Sequence, residues 1–242
     1  MKRVRKRSDK AGLPPGSLIG VSNDTCTVTV LKEFTYTPDH YVERDLRNMA
    51  EFVPSEGCIT WLDIDGLDDT SIVSASGERF NLHSLLLEDV LNTDHRPKVE
   101  EYQDHLFVVA KMLSLDEETD GIVTEQVSFV LGKDYVISFQ EKPGDVLDPV
   151  RDRIRHGTGR VRRKGPDYLL YALLDVIVDN YFLIVEHLGE RIEQLERKIS
   201  VRPGNEDLLT IQEIRSLLIM VGRYTTPVRE LAGRMNTVQS EL

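Results

Sequence analysis

Residues 167–200 read DYLLYALLDVIVDNYFLIVEHLGERIEQLERKIS, with Gly189 as the one helix-weakening residue inside the run. Tyr171, Leu174, Val178, Tyr181, Val185, Leu188, Ile192, Leu195 and Ile199 recur at gaps that alternate between three and four. That spacing keeps one stripe of a helix apolar and is the rhythm of a heptad seam. Pro166 suits a first helical turn. The stretch therefore predicts one helix over 166–200, on the order of 50 Å long at 1.5 Å per residue. Pro203, Gly204 and Asn205 mark a turn, and Ile211, Ile214, Leu218, Val221, Val228 and Met235 then repeat the rhythm. Two long amphipathic helices with a short link form an antiparallel hairpin, and Pro227 is expected to kink the second. The chain stops at Ser240-Glu241-Leu242 inside this pattern, which reads as a piece of a longer protein.

Upstream of the hairpin the periodicity changes. Residues 27–31, 59–64, 106–115, 126–131 and 135–140 are rich in β-branched and aromatic residues and read as strands. Gly132-Lys133-Asp134 makes a tight turn between the last two. Helical spacing is read over 41–52, over 69–77 ending at Gly77, over 82–91, and from Asp148-Pro149 to Ile154. These elements predict an α/β (α+β) fold: an α/β/α sandwich on a mixed sheet, followed by the helical hairpin. The expected division is a basic tail and extended lead-in over 1–20, an α/β/α domain over 21–160, and the hairpin with the start of a stalk over 161–242.

Charge narrows the function. The chain carries −11, yet Lys2, Arg3, Arg5, Lys6, Arg7 and Lys10 against Asp9 give the first ten residues +5, which leaves −16 for residues 11–242. So acidic a body argues against nucleic acid as a partner and suits cations. The tail is either a solvated terminus or a segment drawn to an anionic membrane surface. Cys26 and Cys58 form no framework, which fits a reducing compartment. No run reaches the roughly 18 uninterrupted apolar residues of a membrane span, so the chain is expected to be soluble.

No dinucleotide, phosphate-loop, HExxH or nucleophile-elbow motif is present, and the six histidines do not cluster in sequence. The carboxylates carry the remaining signal. In "LLLEDVLNTDHRPKVEEY", residues 85–102, Glu88 and Asp89 are adjacent and about 100° apart around a helix. Asp175 and Asp179 share a helix face in an apolar run, where charge is costly unless paired. One reading is solvated acids with Lys or Arg partners. The other is a magnesium-type site, which needs few carboxylates because the ion keeps several waters.

Residues 81–182 resemble the cytoplasmic domain of the CorA family of magnesium and cobalt channels. The likeness is carried by "LLLEDVLNTDHRPKVEEY", "EQVSFVL", "VISFQEKPGDVLDPVRDRIR" and "DYLLYALLDVIVDNYF", with "GLPPGSL" as a lead-in. The resemblance implies a homopentamer, a stalk helix, and two membrane helices joined by a Gly-Met-Asn loop; this sequence has neither the membrane helices nor the loop and is cut before the stalk completes. It implies Mg2+, and with it Co2+ or other divalent cations, as the ion handled. Regulatory sites between subunits are implied too, with Asp89 and the adjacent Glu88 at one and Asp175 at a second, looser one. The main partner of Asp89 is then an acid on the next subunit's stalk, beyond Leu242. The function so implied is that of a regulatory domain of an inner- or plasma-membrane divalent-cation channel, and not of an enzyme. A zinc-transporting relative of the same fold, a structural oligomerisation module and a metal-dependent hydrolase are the competing readings.

Overall fold

A computed structural model describes residues 14, 16, 18, 29–116, 121–142, 144–202 and 204–237, with the side chains of 226–237 outside the description. Its seven strands are β1 (Val30–Tyr36), β2 (Tyr41–Leu46), β3 (Ile59–Asp65), β4 (Lys98–Glu101), β5 (Leu106–Asp116), β6 (Gly121–Leu131) and β7 (Tyr135–Gln140). The helices are α1 (Thr70–Phe80), α2 (Ser84–Leu91), α3 (Asp148–His156), α4 (Pro166–Val201) and α5 (Asn205–Thr237).

The strands form one sheet in the order β2-β1-β3-β7-β6-β5-β4. Only β3 and β7 run parallel; the other neighbours are antiparallel. Both faces are covered, which is why β5 reads LFVVAKML as a nearly continuous apolar run. On one face Leu62, Ile64, Ile137 and Phe139 pack with Val73, Leu86, Leu87 and Val90 of α1 and α2. On the other, Phe34, Trp61, Val108 and Phe129 pack with Val150 and Ile154 of α3 and with Leu169, Leu170, Leu173 and Ile177 of α4. This is the expected three-layer sandwich on a mixed sheet with a long helical hairpin.

Several local expectations are corrected. Residues 41–52 are not a helix. The first half is β2, paired residue for residue with β1 from Tyr36↔Tyr41 to Leu31↔Leu46, and only Met49–Glu51 makes a short 3-10 turn. Thr37 closes the connecting turn: its N–H donates to the His40 carbonyl and its Oγ1 accepts from the His40 N–H. As an edge strand with only Leu46 buried, β2 lacks the alternation that marks a half-buried strand. Strand β4, the charged KVEE edge, was not foreseen for the same reason. The first strand is Val30–Tyr36 rather than 27–31, and residues 27 and 28 lie outside the description. Helix α1 ends at Asn81, in the left-handed region at φ 52°, and not at Gly77. Gly77 has a packing role instead. A Cβ there would stand 2.3 Å from Leu87 Cδ1, so the bare glycine lets α2 press against α1.

The long helix runs unbroken for 36 residues, but its buried stripe is rotated from the expected one. Leu174, Tyr181 and Leu188 are buried as expected, whereas Tyr171 and Val185 are 53% and 48% exposed. Leu170, Leu173, Ile177 and Ile184 are buried in their place. A sheet presents a broader surface than one helix does, so the first half of α4 buries a wide face rather than a two-position seam. On α5, Ile214 and Val221 are buried, while Ile211 and Leu218 are exposed. Pro227 lies within the helical span of α5. Val228 and Met235 have side chains outside the described residues, as have the basic tail, Pro203 and the last five residues. By length and mean hydropathy α4 could cross a membrane, but half of its apolar window is buried inside the fold.

Candidate metal centre

Helix α2 starts at His83, whose Nδ1 accepts from the Leu85 N–H at 3.2 Å. Leu86, Leu87, Val90 and Leu91 face the core, which leaves Glu88 and Asp89 on the outward side. The end of the helix is held by β6: Gln126 Nε2 donates to the Asp89 carbonyl at 3.3 Å and the Asn92 carbonyl at 3.2 Å.

Asp89, its side chain 23% exposed, is held by two basic side chains. His95 Nε2 stands 2.8 Å from Oδ1 and Lys98 Nζ 2.6 Å from Oδ2. Lys98 also reaches Glu100 Oε1 at 2.7 Å. Partial burial alone would raise the Asp89 carboxyl, but hydrogen bonds from His95 and Lys98 outweigh it and hold the group below the usual carboxylate range. Burial likewise opposes the charge on Lys98, and its two acidic partners overcome that and raise it. Glu88 is engaged differently. Its Oε2 accepts from the Gly16 N–H at 2.8 Å, which ties Gly16 to this helix. Gly16 sits at φ +84°, and a Cβ there would meet Ser84 Oγ at 2.8 Å, so the contact needs glycine. Asp175 lies on α4 with the Tyr171 hydroxyl 3.5 Å from its Oδ1.

The three acids predicted from the sequence are thus on two elements, and within one chain they do not converge. Both sequence readings survive for Asp89: it has a Lys partner, and it sits partly exposed on a helix packed against the core. The partners His95 and Lys98 stand in the same 18-residue stretch, but no spacing rule picks them out, because β4 is what turns Lys98 back toward α2.

Among the described residues, one group of three acids does converge, and it was not predicted. Asp63, Asp65 and Asp145 bring one carboxylate oxygen each within 4.8 Å of the others. Asp63 accepts from Ser138 Oγ at 2.6 Å and Gln140 Nε2 at 2.9 Å, and its Oδ2 takes the Arg151 guanidinium at 3.2 Å from Nε. Arg151 also clamps both oxygens of Asp145 and reaches Asp148 Oδ1 at 2.9 Å. Its guanidinium lies 5.4 Å from the Trp61 ring centroid. The legible signal was Asp-Ile-Asp at the end of an apolar strand: alternation puts both acids on one face, which the fold then covers.

Known proteins share this fold. The same fold is found in the soluble domain of CorA from Methanocaldococcus jannaschii, with a TM-score of 0.69, 19% identity and coverage of 85% of this chain and 78% of that one. It is also found in the ZntB cytoplasmic domain from Vibrio parahaemolyticus, with a TM-score of 0.67, 13% identity and coverage of 88% and 81%. At these identities the two likenesses show the fold alone. Residues 56–241 match the family model of CorA-like Mg2+ transporter proteins, and the chain belongs to that family. It is 37% identical over 235 residues to the cobalt/magnesium transport protein CorA of Thermotoga maritima; the match covers 96% of this chain and 66%, just under two thirds, of that relative.

Proposed function

We infer that this chain is the cytoplasmic regulatory part of a Mg2+/Co2+ channel, and that it senses Mg2+ at subunit interfaces through Asp89, with Glu88 beside it and Asp175 at a looser second site. One observation carries the reading: Asp89 is a partly exposed carboxylate on a helix whose other face is locked into the core, and it is held ionised at the outer surface of the domain. A homopentamer places such a group opposite an acid from the next subunit. Two carboxylates about 4 Å apart repel by roughly 4 kcal/mol at an effective dielectric near 20. A bridging Mg2+ turns that repulsion into attraction, so ion occupancy sets subunit packing and closes the pore. Sites with few carboxylates that keep waters on the ion respond on the order of millimolar. Family membership and the 37% identity to a cobalt/magnesium transport protein support the ion class. The likeness to a ZntB domain is one of fold alone and leaves zinc as the alternative cargo.

The test is flux in the full-length transporter. Asp89→Asn leaves the fold intact and keeps the channel conducting at millimolar Mg2+, where the parent closes. Unchanged magnesium inhibition would make Asp89 an ordinary surface acid. Lys98→Gln has the opposite effect. Lys98 Nζ is the cation a metal must displace from Asp89 Oδ2. A half-exposed pair of this kind contributes about 1 kcal/mol, so removing it lowers the Mg2+ concentration for half-inhibition roughly three- to tenfold. A rise in that concentration would show that Lys98 supports the site instead of competing for it.

A further inference from the structure

We propose that Asp63, Asp65, Asp145 and Gln140, at the carboxyl ends of β3 and β7, form a binding site for one hard divalent cation inside a single chain. This site is separate from the acids on α2 and α4 and does not rest on the function inferred for them.

Topology singles out this point. Strands β3 and β7 are parallel neighbours, with Asp65 opposite Gln140 at their ends. After β3 the chain passes to α1 on one face of the sheet; after β7 it passes to α3 on the other. Connections that part in this way leave the opening in which ligands of open α/β sheets bind.

The lining supplies oxygen ligands at the right spacing. Strand alternation sets Asp63, Asp65, Ser138 and Gln140 on the face covered by α3. The ligand oxygens of one hard ion lie up to about 4–5 Å apart, given metal–oxygen distances of about 2.0–2.6 Å, and the three acids meet within 4.8 Å. A second feature is independent of the acids. Gln140 is 0% exposed. Its Nε2 bridges Asp63 Oδ1 at 2.9 Å and Asp65 Oδ1 at 2.5 Å, yet its Oε1 has no hydrogen-bond partner among the described residues. A buried acceptor without a donor is uncommon in a folded protein. Turning the amide brings Oε1 onto the two aspartates, an arrangement that a cation stabilises and a bare carboxylate pair does not.

Charge completes the case. Three carboxylates face one guanidinium, and Arg151 is spent on Asp63 Oδ2, on Asp145 and on the exposed Asp148. Among the described residues Asp63 Oδ1 is met by the neutral donors Ser138 Oγ and Gln140 Nε2, and Asp65 Oδ1 by Gln140 Nε2. Lys32 on β1 is the other cation whose field reaches Asp65, and it does not offset the rest. The cluster therefore carries more carboxylates than cations, and a divalent cation supplies the missing charge.

The experiment is thermal unfolding and calorimetry of this chain with MgCl2 and with CaCl2, on a Glu88→Gln/Asp89→Asn/Asp175→Asn background that silences the other acids. One equivalent of ion is expected to bind and to raise Tm by about 4 °C at tenfold the half-saturating concentration. Adding Asp65→Asn abolishes the response. That variant melts at or above its parent in the absence of ion, because it removes a surplus buried charge and keeps the side chain's shape. Equal stabilisation with and without Asp65 would overturn the proposal, as would no binding of either ion.

Discussion

Leu188→Asp lowers the stability of the monomeric chain by about 4 kcal/mol, while Val185→Asp, three residues earlier on the same helix, costs no more than about 1 kcal/mol. Leu188 is 0% exposed and belongs to the cluster that joins α4 to the sheet-side core and to Val221 of α5. The substitution removes a buried aliphatic side chain and leaves an unpaired carboxylate among apolar neighbours, and the two losses add. Val185 is 48% exposed, so its replacement gives up little buried area, and the new charge stays in water. In a chain of this size the first change lowers Tm by roughly 10 °C. Urea unfolding of the two variants checks it. Equal midpoints would mean that the buried stripe of α4 runs through Val185.

That pair of residues also shows how far the sequence could be read. Alternating three- and four-residue gaps placed Val185 and Leu188 on one seam, because the rhythm assumes a partner as narrow as another helix. The real partner of the first half of α4 is a sheet, which takes Leu170, Leu173, Ile177 and Ile184 as well. Length and continuity of the helix come from local spacing and were legible; the azimuth of its buried face depends on what covers it and was not. Strands buried on both sides, such as β5 and β7, announce themselves by apolar runs. Edge strands β2 and β4 do not, since water covers much of them and their residues are charged.

The candidate sites divide in the same way. Glu88, Asp89 and Asp175 were singled out by adjacency, helix geometry and a family likeness, yet nothing in their spacing indicated that Asp89 would be held by His95 and Lys98. Asp63 and Asp65 stood two apart in a strand, while Asp145 and Arg151 lie some eighty residues on. Only the parallel pairing of β3 with β7 brings the four together. Long-range register of that kind has no local signature.

Arg151→Met is expected to cost about 3–5 kcal/mol and to lower Tm by roughly 10 °C, because removing one partner of a buried ion pair leaves the other uncompensated. Asp63 is fully buried, and the Asp145 side chain is nearly so, with both carboxylates on the guanidinium. Burial by itself would raise Asp145, and its hydrogen bonds and charge attraction to Arg151 are what hold it below the ordinary range. Without Arg151 both acids keep protons in the folded state at pH values where the unfolded chain has lost them. The folded form then binds more protons, so stability falls as pH rises above about 4. The deficit of Arg151→Met against its parent is therefore smaller at pH 5 than at pH 8. Neutralising the acids as well, in Asp63→Asn/Asp145→Asn/Arg151→Met, restores most of the loss, since a neutral network of the same shape has no charge to compensate. Arg155→Met is the contrast. It breaks a partly exposed pair with Glu43, whose Oε2 lies 2.8 Å from Arg155 Nε, and costs about 1 kcal/mol or less. Denaturant unfolding of the four proteins at the two pH values decides the matter. A deficit for Arg151→Met that matched Arg155→Met, or that did not change with pH, would mean that Asp63 and Asp145 reach water and need no guanidinium to stay in the core.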